Sequence, residues 1–73
     1  MLLDPVVLLR DIPEHGLTEG DVGAVVHAYP DRDVAEVEFV AGAGRTVAAE
    51  TLRTTDVRAL ADQEILHVRT LAA

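Results

Sequence analysis

GDVGAVVHAYPDRDVAEVEFV, residues Gly20 to Val40, holds the densest run of β-branched residues in the chain. It reads as two β-strands joined by a tight polar turn. Asp21 and Gly23 open the first strand, Val22, Val25 and Val26 run along it, and Pro30-Asp31-Arg32-Asp33 reverses the chain. On the return strand Ala35, Val37 and Phe39 fall on one face and Glu36 and Glu38 on the other. A period of two with one charged face is the mark of a half-buried antiparallel strand.

Working outward, Met1–Asp4 is a short lead-in and Pro5–Arg10 a continuous apolar run. The run predicts a first strand buried on both faces or paired along one edge, with Pro5 where a missing N–H does least harm. Asp11–Glu19, DIPEHGLTE, is a loop punctuated by Pro13 and Gly16, with Ile12 and Leu17 as its anchors. On the other side Gly42-Ala43-Gly44 makes a second turn able to supply positive φ, and Arg45–Ala49 a fourth strand. Leu52 is expected to plug one end of the core, Thr54-Thr55-Asp56 to form a 3₁₀ turn, and Val57–Ala59 a fifth strand. The pattern predicts an all-β fold: a small five-stranded SH3-like (KOW-type) barrel over residues 1–59 with one 3₁₀ turn. Residues 60–73 lie outside it. Their periodicity suits helix and strand equally, but the clustering over Ile65–Val68 favours an extended arm or short strand. Such an apolar arm is expected to dock on its own barrel or on a neighbour's, the second giving a homo-oligomer.

Composition narrows the chemistry. A chain of 73 residues buries only about 60% of the area its unfolded form exposes, so a partner or self-association adds usefully to stability. There is no Cys, Ser, Lys, Asn or Trp. That removes a disulfide framework, a zinc–thiolate site, a serine triad, a Schiff-base lysine and a GK[ST] phosphate loop. No enzymatic activity, cofactor or metal is expected. Thirteen acidic residues against six basic ones leave a net charge of −7, which repels phosphate backbones and suits a basic protein partner. Tyr29 and Phe39 are the only Tyr, Phe or Trp residues, too few for base stacking. No apolar run nears the roughly 20 residues of a membrane span, and no signal-like segment opens the chain. A cytoplasmic location follows as the expectation.

Asp11, Glu14, His15, Glu19 and Asp21 crowd the first loop. They suit a contact surface for a cationic partner group, a weak oxygen-ligand cation site, or a solvated loop whose aspartates cap turns. His15, His27 and His67 lie in three separate elements with no metal-ligand spacing, and His27 is placed to pair across the strands with Glu36 or Glu38. Glu36 and Glu38 lack a pocket or an oxyanion donor and read as an exposed strand face rather than catalytic groups. Ile12 and Tyr29, if exposed near one end of the hairpin, would make an apolar anchor; Phe39 reads as core. The expected partner contacts are Ile12, Glu14, His15, Leu17, Glu19, Tyr29 and Asp31.

Three segments together carry a family likeness: VVLLRDIPEHGLTEGDVGAVVHAYPD, AEVEFVAGAGRTVAAETLRTTDVR and EILHVRTL. With Asp4, Val6, Leu8, the Asp11-Ile12-Pro13 and Gly16-Leu17 loop, Gly20-Asp21, Gly23, Val25-Val26 and Tyr29, then Glu36–Phe39, Thr51-Leu52 and Val57-Arg58, the chain resembles small bacterial proteins grouped as domain of unknown function 4926. The G-D-x-G-x-V-V portion recurs in many SH3-like and KOW-type barrels, and the D-I-P-x-x-G-L loop is the more specific part. The resemblance implies an SH3-like barrel without established enzymatic activity, and a protein partner in a toxin–antitoxin-like or immunity-like pair. The expectation is therefore a non-enzymatic protein-interaction module, with the neutralising partner of a neighbouring gene product as one role. A nucleic-acid-associated KOW-type barrel and an accessory domain of an enzyme complex are the alternatives.

Overall fold

The computed structural model describes residues 4–71. Five strands form one antiparallel sheet: β1 (Pro5–Leu8), β2 (Val22–Tyr29), β3 (Val34–Val40), β4 (Thr46–Arg53) and β5 (Val57–Ala59). They are hydrogen-bonded in the order β4-β3-β2-β1-β5, so β4 and β5 are its two edges. Among the described residues there is no α-helix, and no helix is long and apolar enough to cross a membrane.

The connection between the edges bends the sheet. Flat, five strands would hold β4 and β5 about 19 Å apart at the usual inter-strand spacing. Yet only Thr54–Asp56, a 3₁₀ turn, joins Arg53 to Val57, and four residue steps span at most about 14 Å even when fully extended. The sheet must therefore curl. Two bulges help. The register passes from Val25↔Val37 to His27↔Glu36 on β2, and from Phe39↔Ala48 to Val40↔Thr46 on β4, leaving Val26 and Val47 as extra residues. An extra residue bends a strand and increases its local twist.

On the concave side lies one core cluster: Val6 and Leu8 of β1, Ile12 and Leu17 of the first loop, Val37 and Phe39 of β3, and Ala48 and Leu52 of β4. Leu8 and Val37 are completely buried. Alternation on β3 runs as its sequence demands, with Ala35, Val37 and Phe39 buried and Glu36 and Glu38 half-buried on the other face. Val6, Val7 and Leu8 are all buried, as a strand covered on both faces requires. Leu9 leaves the strand after Leu8, its N–H donating to the Asp56 carbonyl.

Three differences from expectation have local causes. β4 runs to Arg53 rather than ending at Ala49, because β3 pairs with it along its whole length down to Val34↔Arg53; the polar Glu50-Thr51 is ladder, not loop. Two further 3₁₀ turns occur, Pro13–His15 and Pro30–Arg32, each begun by a proline whose fixed φ suits a first helical position. Leu60–Leu71 forms neither helix nor strand, only a turn at Asp62-Gln63 and an irregular continuation; residues 72–73 of the expected arm, like residues 1–3, lie outside the described ones.

Gly23 shows how tightly β2 is laid on β3. A Cβ there would meet Val37 Cγ1 at 2.6 Å, Phe39 Cε1 at 2.9 Å and the Glu38 carbonyl at 3.0 Å. Gly23→Ala is expected to destabilise the chain by about 1–3 kcal/mol in urea unfolding, the usual penalty for an overpacked core. Gly42→Ala, where a Cβ meets nothing within 4 Å, is the control and should stay within about 0.5 kcal/mol of the parent.

Candidate functional site

The first loop is built from its own backbone. Ile12 and Leu17 exchange both N–H···O bonds, 2.9 and 3.1 Å, and close the loop on itself. Gly16 sits in the left-handed region at φ 70°, ending the 3₁₀ turn that Pro13 began. Next, the Thr18 N–H donates to Asp21 Oδ2 at 2.9 Å, the Asp21 N–H donates back to the Thr18 carbonyl, and Gly20 takes φ 95° between them. The Glu19 N–H donates to Asp11 Oδ1 at 2.8 Å. Asp21 thus caps its turn, and Asp11 ties the two ends of the loop together.

Two side-chain contacts tie remote chain to this loop. His15 Nε2 lies 2.9 Å from Glu50 Oε2, carrying the loop across to edge strand β4. Arg69, in the irregular tail, places Nε 2.7 Å from Asp21 Oδ1 and Nη2 2.6 Å from Oδ2, with Nη2 also donating to the Gly16 carbonyl at 2.8 Å. The fork holds the Asp21 carboxyl below its ordinary value of 3.8, against the opposing effect of partial burial. Nearer the sheet, Arg58 grips both oxygens of Glu64, and the Ala61 N–H donates to the same carboxylate. Together they pull the Glu64 carboxyl down to about 2, the guanidinium contributing most.

Held at these two points, the tail stands off the sheet and leaves a groove of about 920 Å³ beneath it. Val22, Phe39, Val40 and Val47 line its sheet side, Leu17 to Asp21 one rim, and Leu66 to Leu71 the other. The tail does not bury its own apolar residues: Val68 is 98% exposed, Ile65 84% and Leu66 62%. At the far end of β2 a smaller hollow of about 440 Å³ lies among Arg32, Asp33, Val34 and Arg53–Thr55.

The residues expected to meet a partner divide between the two ends of the sheet. Leu17 and Glu19 are at the groove, and Glu14 and His15 are exposed on the same loop. Ile12 and Leu17, at 2% and 3% exposure, are core anchors; Ile12 offers no exposed apolar patch beside Tyr29. Tyr29 and exposed Asp31 lie at the opposite end of β2 from the loop. There the Tyr29 hydroxyl donates to Glu36 Oε1 at 3.0 Å, which raises its pKa, while His27 packs edge-on against its ring and Arg32 lies 5.8 Å from the ring centre. The register does set His27 opposite Glu36, but the carboxylate is taken up by Tyr29. Among the described residues no three His, Cys, Asp or Glu side chains gather as a metal site.

Arg69 is the groove-side residue that sequence reasoning passed over, although Ile65–Val68 beside it was read as an apolar arm. The available signal was a lone arginine in an apolar tail, EILHVRTL, of an acidic chain without lysine.

A family model described as "Domain of unknown function (DUF4926)" matches residues 2–59. The chain belongs to this family. Neither a curated protein nor a solved structure matches it significantly. The DUF4926 match ends at Ala59, the last residue of β5, so the tail and its arginine follow the matched span.

Both carboxylates that hold the tail have depressed pKa values, so their stabilisation is complete above the ordinary values, 3.8 for Asp21 and 4.5 for Glu64. It is lost as the pH falls through the depressed ones. The Arg58 guanidinium NMR signals should therefore lose their bound shifts between about pH 4.5 and 2, and those of Arg69 as the pH falls below 3.8, before the core signals of Leu8 and Val37 change. In Asp21→Asn the Arg69 signals should take their unbound shifts already at pH 7. Bound Arg69 signals that persist until the whole sheet unfolds would contradict this attachment.

Proposed function

We propose that the chain is a cytoplasmic, non-enzymatic protein-interaction module, an SH3-like barrel that binds a basic protein partner. The barrel reading rests on the strand order and on the single 3₁₀ turn joining the two sheet edges. One observation carries the functional reading: three large aliphatic side chains, Ile65, Leu66 and Val68, stand exposed beside an open apolar groove on a protein of net charge −7. Adjacent exposed apolar residues rimmed by charge mark a surface made to be covered, and the net charge favours a positively charged partner. The neutralising role in a pair of neighbouring gene products fits this chemistry, since such a chain works by occupying its partner's surface.

The nucleic-acid alternative is less well supported. Phe39 is buried, and the Tyr29 ring already has His27 against it and the Arg32 guanidinium 5.8 Å from its centre, so neither offers a free stacking face on an already acidic molecule.

Affinity purification of the full-length chain from its own cytosol at low salt is expected to return one stoichiometric basic protein, encoded beside it, and to release that protein as salt rises. The double variant Ile65→Asp, Val68→Asp should retain about tenfold less or weaker, since each removes a buried aliphatic contact and adds a charge. Equal recovery with the double variant, or no stoichiometric partner with the parent chain, would refute the reading.

A further inference from the structure

Among the described residues, every hydrogen bond between residues 65–71 and the rest of the chain is made by Arg69. The acceptors it uses belong wholly to the first loop. The Asp21 carboxylate is positioned by the Thr18 N–H and hydroxyl, and Gly16 is held in its left-handed conformation by the N–H it gives to the Pro13 carbonyl. Two carboxylate oxygens and one carbonyl, at 2.7, 2.6 and 2.8 Å from guanidinium nitrogens, suit a planar guanidinium; an ammonium, with its donors on a single atom, cannot span them in the same way. The tail supplies the cation yet leaves the neighbouring apolar walls uncovered. Val22 and Val40 remain 36% and 50% exposed, while Val68, next to Arg69, faces solvent.

We infer that the Asp21 carboxylate, the Gly16 carbonyl and the adjoining groove form a docking site for an extended, arginine-bearing segment of a basic partner protein, and that Arg69 is its intramolecular stand-in. The inference rests on the interaction-module reading and names the surface and the chemistry it recognises. A partner arginine takes the place of Arg69. An aliphatic residue two positions away, on the same side of an extended chain, fills the space against Val22, Val40 and Val47. The tail has the advantage of attachment, equivalent to roughly millimolar concentration for a short linker. Each aliphatic side chain newly buried in the groove is worth about ten- to a hundredfold in affinity, so one or two are enough for the partner to displace the tail. The net charge of −7 draws a basic segment to the site and disfavours a second copy of the chain.

A fluorescent synthetic peptide copying residues 64–71, EILHVRTL, reports the site by anisotropy with full-length protein. Arg69→Ala, which frees the acceptors, should bind it about tenfold more tightly than the parent, and Arg69→Lys, which loses the fork but keeps the charge, should lie between. Adding Asp21→Asn to Arg69→Ala should remove the gain, and a peptide carrying lysine for its arginine should bind about tenfold more weakly. No gain in either Arg69 variant, or equal binding of the lysine peptide, would overturn the site. A parent chain that sediments as a dimer, and reverts to monomer in Arg69→Ala, would assign the site to a second copy's tail and overturn the partner assignment. Peptide binding absent while stoichiometric capture persists would sink this inference alone and leave the interaction-module reading standing.

Discussion

Everything in this structure depends on the shortness of one link. Strands β4 and β5 occupy opposite edges of the sheet, yet Thr54–Asp56 is all that separates them in sequence. Bringing the edges within reach of three residues forces the sheet to fold its apolar face inward. Only then can Leu8 on β1 and Leu52 on β4 belong to one buried cluster. Two bulges and an unsubstituted Cα at Gly23 relieve the crowding that the curl produces.

The curl also places the first loop. Ile12 and Leu17 belong to the same core cluster as Phe39 and Ala48, which fixes the turn between them against the sheet, and His15 reaches Glu50 on β4. What remains outward is polar backbone and carboxylate: the Gly16 carbonyl and Asp21. They make a cation receptor out of a structural turn. In this chain the hydrogen bonds that cap the turn also aim Asp21 at Arg69.

The tail behaves differently from the sheet. The sheet is held by ladders and a shared core. The tail is held by two guanidinium–carboxylate forks, Arg58–Glu64 and Arg69–Asp21, at partly exposed sites. Exposed ion pairs contribute little each and weaken with salt, so the tail is attached far less firmly than the strands. The DUF4926 match covers the sheet and ends where the tail begins.

The residues alone determined the five strands, the outward face of Glu36 and Glu38, the buried Ala35, Val37 and Phe39, and a turn over Gly42-Ala43-Gly44 able to take the positive φ found at Gly44. Those features follow from period-two alternation and from local turn chemistry, which are properties of neighbours in sequence. The absence of Cys, Ser and Lys also excludes whole classes of chemistry. Tertiary structure decided the rest: that Glu50-Thr51 is ladder, that Ile12 is buried rather than exposed beside Tyr29, that Tyr29 lies at the opposite end of β2 from the loop, and that Arg69 meets Asp21 across 48 residues. The physical reason is that such contacts are set by register and curvature. Those depend on how the whole sheet closes over its core, which no local pattern encodes.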